Sequence, residues 1–285
     1  MDQIKTVCVC GAGTMGSGIA QVCATAGYQT ILYDVDEIAV KKAKANIENG
    51  LQKLLDKQKI FVTEYERILH RLEFTSNIND CIASLIIEAI IEKPEAKISL
   101  FDQLEYQNND HEVIFASNTS SLSLTKIASA LKNPEKLIGL HFFNPAPVMK
   151  LVEVVTTKYT NQATVQPILS FIKSLNKIAV ICKDSPGFIV NRVARPYYIE
   201  SLRLLEEGKA NIETVDKLLE ARGFKMGAFK LMDVIGNDIN YAVSCSVYSQ
   251  LNNPERLMPS TIQKEKVEKN ELGKKTGLGY YQYNS

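Results

Sequence analysis

The stretch TVCVCGAGTMGSGIAQVCATAGYQTILYD, residues 6–34, decides the fold. It begins as a short apolar strand and passes through the pattern G-x-G-x-x-G at residues 11–16 into small residues with helical spacing. It ends as a second apolar strand that closes on an acid, Asp34. This order is typical of a dinucleotide-binding βαβ unit. The same glycines would also suit a structural turn without a ligand.

Each part of this unit has a predicted contact with NAD. Gly11 allows the tight turn, Gly13 lets the pyrophosphate approach the backbone, and Gly16 lets the helix pack on the strand. The N–H groups and the dipole at the start of the helix favour phosphate. The carboxylate of Asp34 suits the ribose hydroxyls and repels a 2′-phosphate, so NAD is predicted over NADP. The predicted cofactor contacts of the loop are Gly11, Gly13, Thr14, Met15 and Gly16.

The alternation of apolar runs and amphipathic stretches continues to about residue 184. Strands are predicted at 4–10, 29–34, 84–90, 112–117, 136–141, 151–155 and 177–182. Strands separated by helical patterns predict an α/β class fold, a Rossmann-like and mostly parallel sheet with helices on both faces.

The alternation of strand and helix patterns ends at residues 185–187, where the sequence Ser-Pro-Gly is typical of a break in regular structure. From there to about residue 270 the patterns are helical only, and a kink is expected at Pro196. The tail GKKTGLGYYQY is expected to be an ordered loop. We therefore predict a NAD-binding domain over residues 1–184 and an all-helical domain over residues 185–285.

Composition narrows the classes of function. The chain has 285 residues, a net charge of +1, 45% hydrophobic and 23% charged residues, which favours an ordinary globular protein without a nucleic-acid or membrane partner. No apolar run approaches the roughly 20 residues that cross a bilayer, and the first residues do not resemble a signal peptide. The six cysteines lack metal-ligand spacing, so we expect buried free thiols in the cytoplasm and no metal.

One of the three histidines, His141, ends the strand over 136–141. Rossmann-type sheets bind ligands beyond the carboxyl ends of their strands, where the nicotinamide would arrive. A neutral imidazole there suits the removal of a proton from an alcohol. Glu153, inside the next apolar strand, is costly to bury unpaired and could orient the imidazole. The alternatives are a structural histidine and an ion pair between Glu153 and Lys150.

Several motifs resemble the L-3-hydroxyacyl-CoA dehydrogenase family, of the 3-hydroxybutyryl-CoA dehydrogenase type. They are GAGTMGSGIAQ, IEAIIE, ASNTSSL, IGLHFFNPAPVMKLVEVV, KDSPGFIVNR, RLLEEG, MGAF with LMDVIGND, and KKTGLGYY. They occur in family order over nearly the whole chain. The chain departs from the family pattern at Lys93, Ala228 and Lys230, which leaves the preferred acyl-chain length open.

The resemblance implies roles for individual residues. His141 would be the catalytic base and Glu153 its carboxylate partner, with Ser120 and Asn191 beside the reacting oxygen. The implied cofactor contacts are Asp34, Glu92, Lys97, Asn118, Ser120 and Lys275. The implied substrate contacts are Lys57, Asn144, Ser120 and Asn191. The family also implies a homodimer formed by the helical domain.

Plainer interpretations stand beside these roles. Lys57 and its neighbouring lysines suit a solvated face, and Lys275 suits a surface lysine. A serine at 121 or 123 could cap a helix over 124–131. The rival functions are a β-hydroxyacid dehydrogenase, a family relative that oxidises a free sugar acid, and a non-catalytic protein that reuses the fold. The first needs a lysine four residues before Asn191, where this chain has Gly187.

Overall fold

The structure is a computed structural model that describes residues 4–109 and 111–283. The chain divides into two compact units, one ending at Asp184 and the other beginning at Ser185. The predicted domain ends at residues 1 and 285 lie outside the described residues.

The first unit is built on an eight-stranded sheet. Its strands are β1 (Thr6–Cys10), β2 (Gln29–Tyr33), β3 (Leu72–Thr75), β4 (Leu85–Glu88), β5 (Ile114–Ser117), β6 (Leu137–Phe142), β7 (Leu151–Thr156) and β8 (Ile178–Lys183). Their order across the sheet is β3-β2-β1-β4-β5-β6-β7-β8. All neighbouring pairs are parallel except β6 with β7. The predicted Rossmann-like, mostly parallel sheet is confirmed.

The register brings the carboxyl ends of the central strands to one edge of the sheet. Cys10 pairs with Glu88, Glu88 with Ser117, and Ser117 with Gly139. His141 lies two residues beyond Gly139 on β6, so its side chain emerges at the edge where the glycine loop follows β1.

Both faces of this sheet are covered. Every residue of β4, β5 and β6 is buried, and two separate apolar clusters pack against the sheet. The covering helices are α1 (Thr14–Thr25), α2 (Glu37–Asp56), α3 (Val62–His70), α4 (Pro94–Gln107), α5 (Leu124–Ala128) and α6 (Gln162–Ser174). The near-continuous apolar strands of the sequence are explained by this double burial.

Several helices begin where a polar side chain accepts a backbone N–H of the first turn. Asp36 caps α2 through Ile38 N at 2.9 Å, and Asn161 caps α6 through Thr164 N at 2.9 Å. Ser123, one of the two predicted candidates, caps α5, which ends at Ala128 and not at 131.

The second unit contains only helices as regular elements within its described residues. They are α7 (Val190–Glu206), α8 (Ile212–Ala221), α9 (Ala228–Ile235), α10 (Asn237–Gln250) and α11 (Thr261–Glu268). Tyr198, Phe229, Met232 and Tyr280 form the centre of its core. The predicted all-helical second half is confirmed.

A buried carboxylate fixes the aromatic tail in this unit. Asp233, 1% exposed, accepts the N–H groups of Tyr280 and Tyr281, each at 2.9 Å, and the hydroxyl of Tyr283 at 3.0 Å. Asp216, fully buried, accepts the hydroxyl of Tyr281 at 2.9 Å. The tail is therefore ordered, as predicted.

Some elements were not predicted. The four-residue strand β3 and the helices α3, α9 and α11 had no separate prediction, and Pro196 lies inside an unbroken α7. No helix among the described residues is both long and apolar enough to span a bilayer.

Candidate active site

A hydrogen-bonded chain joins Ser120, His141 and Glu153. The Ser120 Oγ lies 2.9 Å from His141 Nε2, and His141 Nδ1 lies 2.7 Å from Glu153 Oε2. Because a carboxylate only accepts, the hydrogen shared with Glu153 sits on Nδ1. In the neutral ring, Nε2 then keeps its lone pair and accepts from the Ser120 hydroxyl. This is the tautomer that a general base requires.

The antiparallel pairing of β6 and β7 builds this contact. His141 and Glu153 are direct partners in the register, so their side chains lie opposite one another on the same face of the sheet. His141 is 4% exposed and Glu153 is fully buried. The alternative partner, Lys150, directs its Nζ towards the carbonyl oxygen of Asn176 at 3.5 Å. The geometry therefore favours orientation of the imidazole by Glu153.

The loop that carries Ser120 is fixed by the carboxylate of Glu92. Its Oε1 accepts the backbone N–H of Ser120 at 3.1 Å and that of Ser121 at 3.2 Å, and it also accepts the hydroxyl of Thr119. Partial burial opposes ionisation, but the ammonium of Lys97 and the Thr119 hydroxyl lower the pKa of Glu92 below its usual value. The loop is therefore organised round an anion.

A buried lysine holds Glu92 and a second carboxylate. Lys97 is 1% exposed, and its Nζ lies 2.5 Å from Glu88 Oε1 and 3.1 Å from Glu92 Oε2. Ser117 donates its hydroxyl to Glu88 Oε2 at 2.6 Å. Burial raises the pKa of Glu88, while Lys97 and Ser117 oppose the rise. The predicted cofactor contacts of Glu92 and Lys97 stay predictions, since both side chains are engaged by other protein groups.

Asn118 links the serine loop to the strand of the histidine. Its Oδ1 accepts the N–H of Phe142 at 2.9 Å, and its own N–H donates to the carbonyl oxygen of Glu88 at 2.8 Å. Asn118 therefore fixes the spacing between β5 and the end of β6, on which the contact of Ser120 with His141 depends.

The three glycines of the loop differ in the space around them. A Cβ on Gly16 would lie 1.7 Å from the Gly11 carbonyl oxygen, and one on Gly11 would lie 2.5 Å from the carbonyl oxygen of Ala89. At Gly13 a Cβ would meet nothing within 4 Å. Packing therefore explains the first and last glycines, whereas Gly13 leaves open room above the start of α1. As the N-cap of α1, Gly13 also offers no capping side chain.

Asp34 stands at the end of β2, beside this loop. Its Oδ2 accepts the N–H of Ala12 at 2.7 Å, and its Oδ1 accepts the N–H of Asp36 at 3.1 Å. The half-buried carboxylate is thereby held in one orientation next to the loop. A fixed acid at this position suits the ribose hydroxyls of NAD.

Four more predicted residues stand on other elements of the chain. Lys57 is exposed at the end of α2, and Asn144 is exposed just after β6, where it precedes Pro145. Asn191 lies in the first turn of α7, and Lys275 pairs with Asp238 at 2.6 Å, both in the second unit. Their roles stay predictions.

The sequence did not reveal the structural roles of Glu88, Ser117 and Asn118. Glu88 and Ser117 end neighbouring strands, so polar residues at the ends of apolar runs were the available signal. Their pairing depends on the register of β4 and β5, which spacing along the chain does not show.

Two models of one protein family match nearly the whole chain. The model of the 3-hydroxyacyl-CoA dehydrogenase NAD binding domain matches residues 6–185, and that of the C-terminal domain of the same family matches residues 187–283. By class, the chain therefore combines a NAD-binding domain with the C-terminal domain of a dehydrogenase family. It belongs to the 3-hydroxyacyl-CoA dehydrogenase family, which confirms the resemblance and the predicted cofactor.

Two curated relatives are similar over nearly the whole chain. A 3-hydroxyadipyl-CoA dehydrogenase of Escherichia coli (strain K12) is 45% identical over 99% of this chain, which spans 60% of that relative. The mitochondrial hydroxyacyl-coenzyme A dehydrogenase of Sus scrofa is 40% identical over 98% of this chain and 91% of its own length.

Solved structures show the same fold. A 3-hydroxybutyryl-CoA dehydrogenase from Escherichia coli K12 has a TM-score of 0.95 at 44% identity, covering 100% of this chain and 60% of its own. The (S)-3-hydroxybutyryl-CoA dehydrogenase PaaH1 from Ralstonia eutropha has a TM-score of 0.93 at 35% identity, covering 99% of this chain and 100% of its own.

Proposed function

We propose that this chain catalyses the NAD-dependent oxidation of L-3-hydroxyacyl-CoA to 3-oxoacyl-CoA and the reverse reduction. One observation carries the proposal, the chain from Ser120 through His141 to Glu153 at the carboxyl edge of the sheet that bears the glycine loop. The printed names of the relatives support a hydroxyacyl thioester of coenzyme A as the substrate class.

His141 is the general acid/base of the proposed reaction. In the oxidative direction its Nε2, which lies 2.9 Å from the Ser120 Oγ, removes the proton of the substrate hydroxyl. The buried carboxylate of Glu153 stabilises the imidazolium that forms, 2.7 Å away. In the reductive direction the imidazolium returns the proton to the developing alkoxide.

The residues of the first unit fit a bound NAD. Gly11, Gly13 and Gly16 with the first turn of α1 would hold the pyrophosphate, and Asp34 the ribose. Bound NAD supplies the acceptor for the hydride that leaves the substrate carbon. Glu92, Lys97 and Asn118 position Ser120 for this step.

The remaining substrate contacts belong to the proposal. Lys57 would meet the coenzyme A portion, while Asn144 and Asn191 would hold the acyl portion and the reacting oxygen. Lys275 would contact the cofactor.

The six free cysteines, four of them buried, support a reducing cytoplasmic environment.

A homodimer formed by the helical unit is also proposed. Within α10, Val247 is 1% exposed and belongs to the core of the unit, so it is not available for an interface. The support comes from apolar side chains that are exposed on this unit, namely Val193 (72%), Leu218 (61%), Ile239 (50%) and Met258 (50%).

The test is NADH oxidation by the purified chain with acetoacetyl-CoA and, in parallel, with free acetoacetate. We expect turnover with the thioester and little with the free acid. Turnover of the free acid with equal efficiency would favour the alternative function, that of a family relative that acts on a free acid. Absence of turnover with both substrates, together with absence of NADH binding, would support the non-catalytic alternative.

A further inference from the structure

Three cysteines of the first unit converge beneath the glycine loop. Cys8 and Cys10 alternate along β1, so their side chains share a face, and their Sγ atoms lie 3.8 Å apart. Cys81 joins them just before β4, and the three sulfur atoms lie within 4.8 Å of one another. All three side chains are fully buried. The proposed reaction uses none of them.

The position of Cys81 is fixed by a buried amide. Asn108 is 1% exposed, donates its Nδ2 to the Cys81 carbonyl oxygen at 2.9 Å and accepts the N–H of Ala83 at 3.3 Å. β1 in turn lies between β2 and β4 in the sheet. The thiols are therefore held from two sides by ordered backbone.

The spacing of the sulfur atoms suits a single ion bound by three sulfurs. Three bonds of about 2.3 Å place the sulfurs round one ion about 3.3 Å apart in a pyramidal centre and about 4.0 Å apart in a flat one. The sulfurs of Cys8 and Cys10, which lie 3.8 Å apart, fall within this range. For a pyramidal centre these two sulfurs approach one another by about 0.5 Å and the Cys81 sulfur approaches them by at most about 1.5 Å.

The surroundings select the kind of ion. The cysteines pack in an apolar cluster with Ile86, Phe101 and Leu104, and the metal-ligating group found among the described residues contains sulfur only. Zinc takes a fourth ligand, and its tris-thiolate would leave a negative charge in this interior. A trivalent thiophilic element needs three sulfurs and forms a neutral tris-thiolate.

We propose that Cys8, Cys10 and Cys81 form a binding site for trivalent arsenic taken up as arsenite. Three S–H bonds and three As–OH bonds break, three As–S bonds form, and three water molecules leave. Arsenic stays trivalent, so the step needs no oxidant or reductant. The neutral product avoids the cost of a buried charge.

Occupancy of this site is coupled to the glycine loop. Cys10 directly precedes Gly11, and its carbonyl oxygen accepts the N–H of Ala89 at 2.7 Å. Gly11 has no free space, because a Cβ there would lie 2.5 Å from the Ala89 carbonyl oxygen. Drawing the sulfurs together shifts the end of β1, so arsenic reduces the affinity for NADH.

The experiment incubates the reduced full-length protein with arsenite for hours, because buried thiols react only through transient opening. Native mass spectrometry should show one arsenic per chain, with the loss of three hydrogens. Thiol alkylation in denaturant, followed by peptide mapping, should find Cys8, Cys10 and Cys81 protected in the loaded wild type. Protection of Cys182 and Cys245 instead would overturn the site.

Variants locate the site independently of NADH binding. Cys8→Ala and Cys81→Ala should lose the bound arsenic, whereas Cys23→Ala, which removes another buried thiol, should keep it. Retention of arsenic in Cys8→Ala would overturn the proposal. If a variant does not fold, the mapping of the wild type still decides. If Zn²⁺ protected the three thiols from alkylation equally well, the argument that charge favours a trivalent ion would be overturned.

Discussion

Replacing Glu153 by glutamine removes the charge beside His141 and keeps the shape of the side chain. The amide oxygen can still accept from Nδ1, so the tautomer is retained while the stabilisation of the imidazolium is lost. At a charge separation of about 4 Å and an effective dielectric constant of about 20, that attraction is about 4 kcal/mol. This value corresponds to at most about a thousandfold in rate, when the imidazolium is fully formed in the transition state.

The assay is kcat for the oxidation of L-3-hydroxybutyryl-CoA by NAD⁺, the direction in which the imidazolium forms, for the wild type, Glu153→Gln, His141→Ala and the double variant. Glu153→Gln should lower kcat by about 10²–10³ and His141→Ala by about 10²–10⁴. NADH affinity, measured by fluorescence, should stay near that of the wild type, because the cofactor contacts lie on the glycine loop. The double variant should be little slower than His141→Ala alone, since the two residues act as one unit.

Lys150→Ala is the matched control, because Lys150 was the rival partner of Glu153. It should leave kcat within about twofold, because Lys150 is exposed and its Nζ points towards the Asn176 carbonyl oxygen and not towards Glu153. Strictly additive losses for His141 and Glu153 would refute their coupling. Near-normal turnover of His141→Ala would remove the histidine from the mechanism.

Four further outcomes are expected. Asp34→Ala should raise KM for NADH and erode the preference over NADPH; equal wild-type efficiency with both cofactors would contradict this role. Gly13→Ala should weaken NADH binding without lowering Tm, whereas Gly16→Ala should lower Tm, because its Cβ would lie 1.7 Å from a carbonyl oxygen. Lys97→Met should cost about 3–5 kcal/mol in urea unfolding by leaving Glu88 buried and unpaired, and adding Glu88→Gln should recover most of the loss; no recovery would show that the cost is not electrostatic. Light scattering at micromolar concentration should report a dimer, and a monomer would contradict the proposed interface.

The sequence predicted the fold because its strands are near-continuous apolar runs that are separated by turn residues or by helical patterns. Seven of the eight strands coincide with predicted runs to within two residues at most ends. The exception, β3, reads Leu72-Glu73-Phe74-Thr75. Four residues are too few to show the alternation of a strand, so the sequence alone does not distinguish this segment from a loop. In the same way α11 has a mostly polar sequence, TIQKEKVE, which gives little sign of a packed face.

The site was predicted only as far as chemistry could be assigned to single residues. His141 was suggested by its residue type and its position at the end of a strand, and Ser120 by the resemblance of ASNTSSL to the family motif. The contacts of Glu92 with the serine loop and the convergence of Cys81 on β1 join residues more than 25 positions apart. Such contacts depend on strand order and register, so a single sequence without the structure does not reveal them.

The one antiparallel pairing of the sheet, between β6 and β7, explains how a short connection completes the catalytic pair. The chain has only residues 143–150 between β6 and β7, fewer than the dozen or more that a parallel crossover needs, so β7 must return beside β6. In this arrangement the amino-terminal half of β7 lies against the carboxyl-terminal end of β6, which puts Glu153 opposite His141. A parallel β7 would bring its carboxyl-terminal end to that edge, and its third residue would then lie towards the far edge of the sheet. The reversal of direction at β7, which β8 shares, therefore places the buried carboxylate at the same edge as the glycine loop and the serine loop.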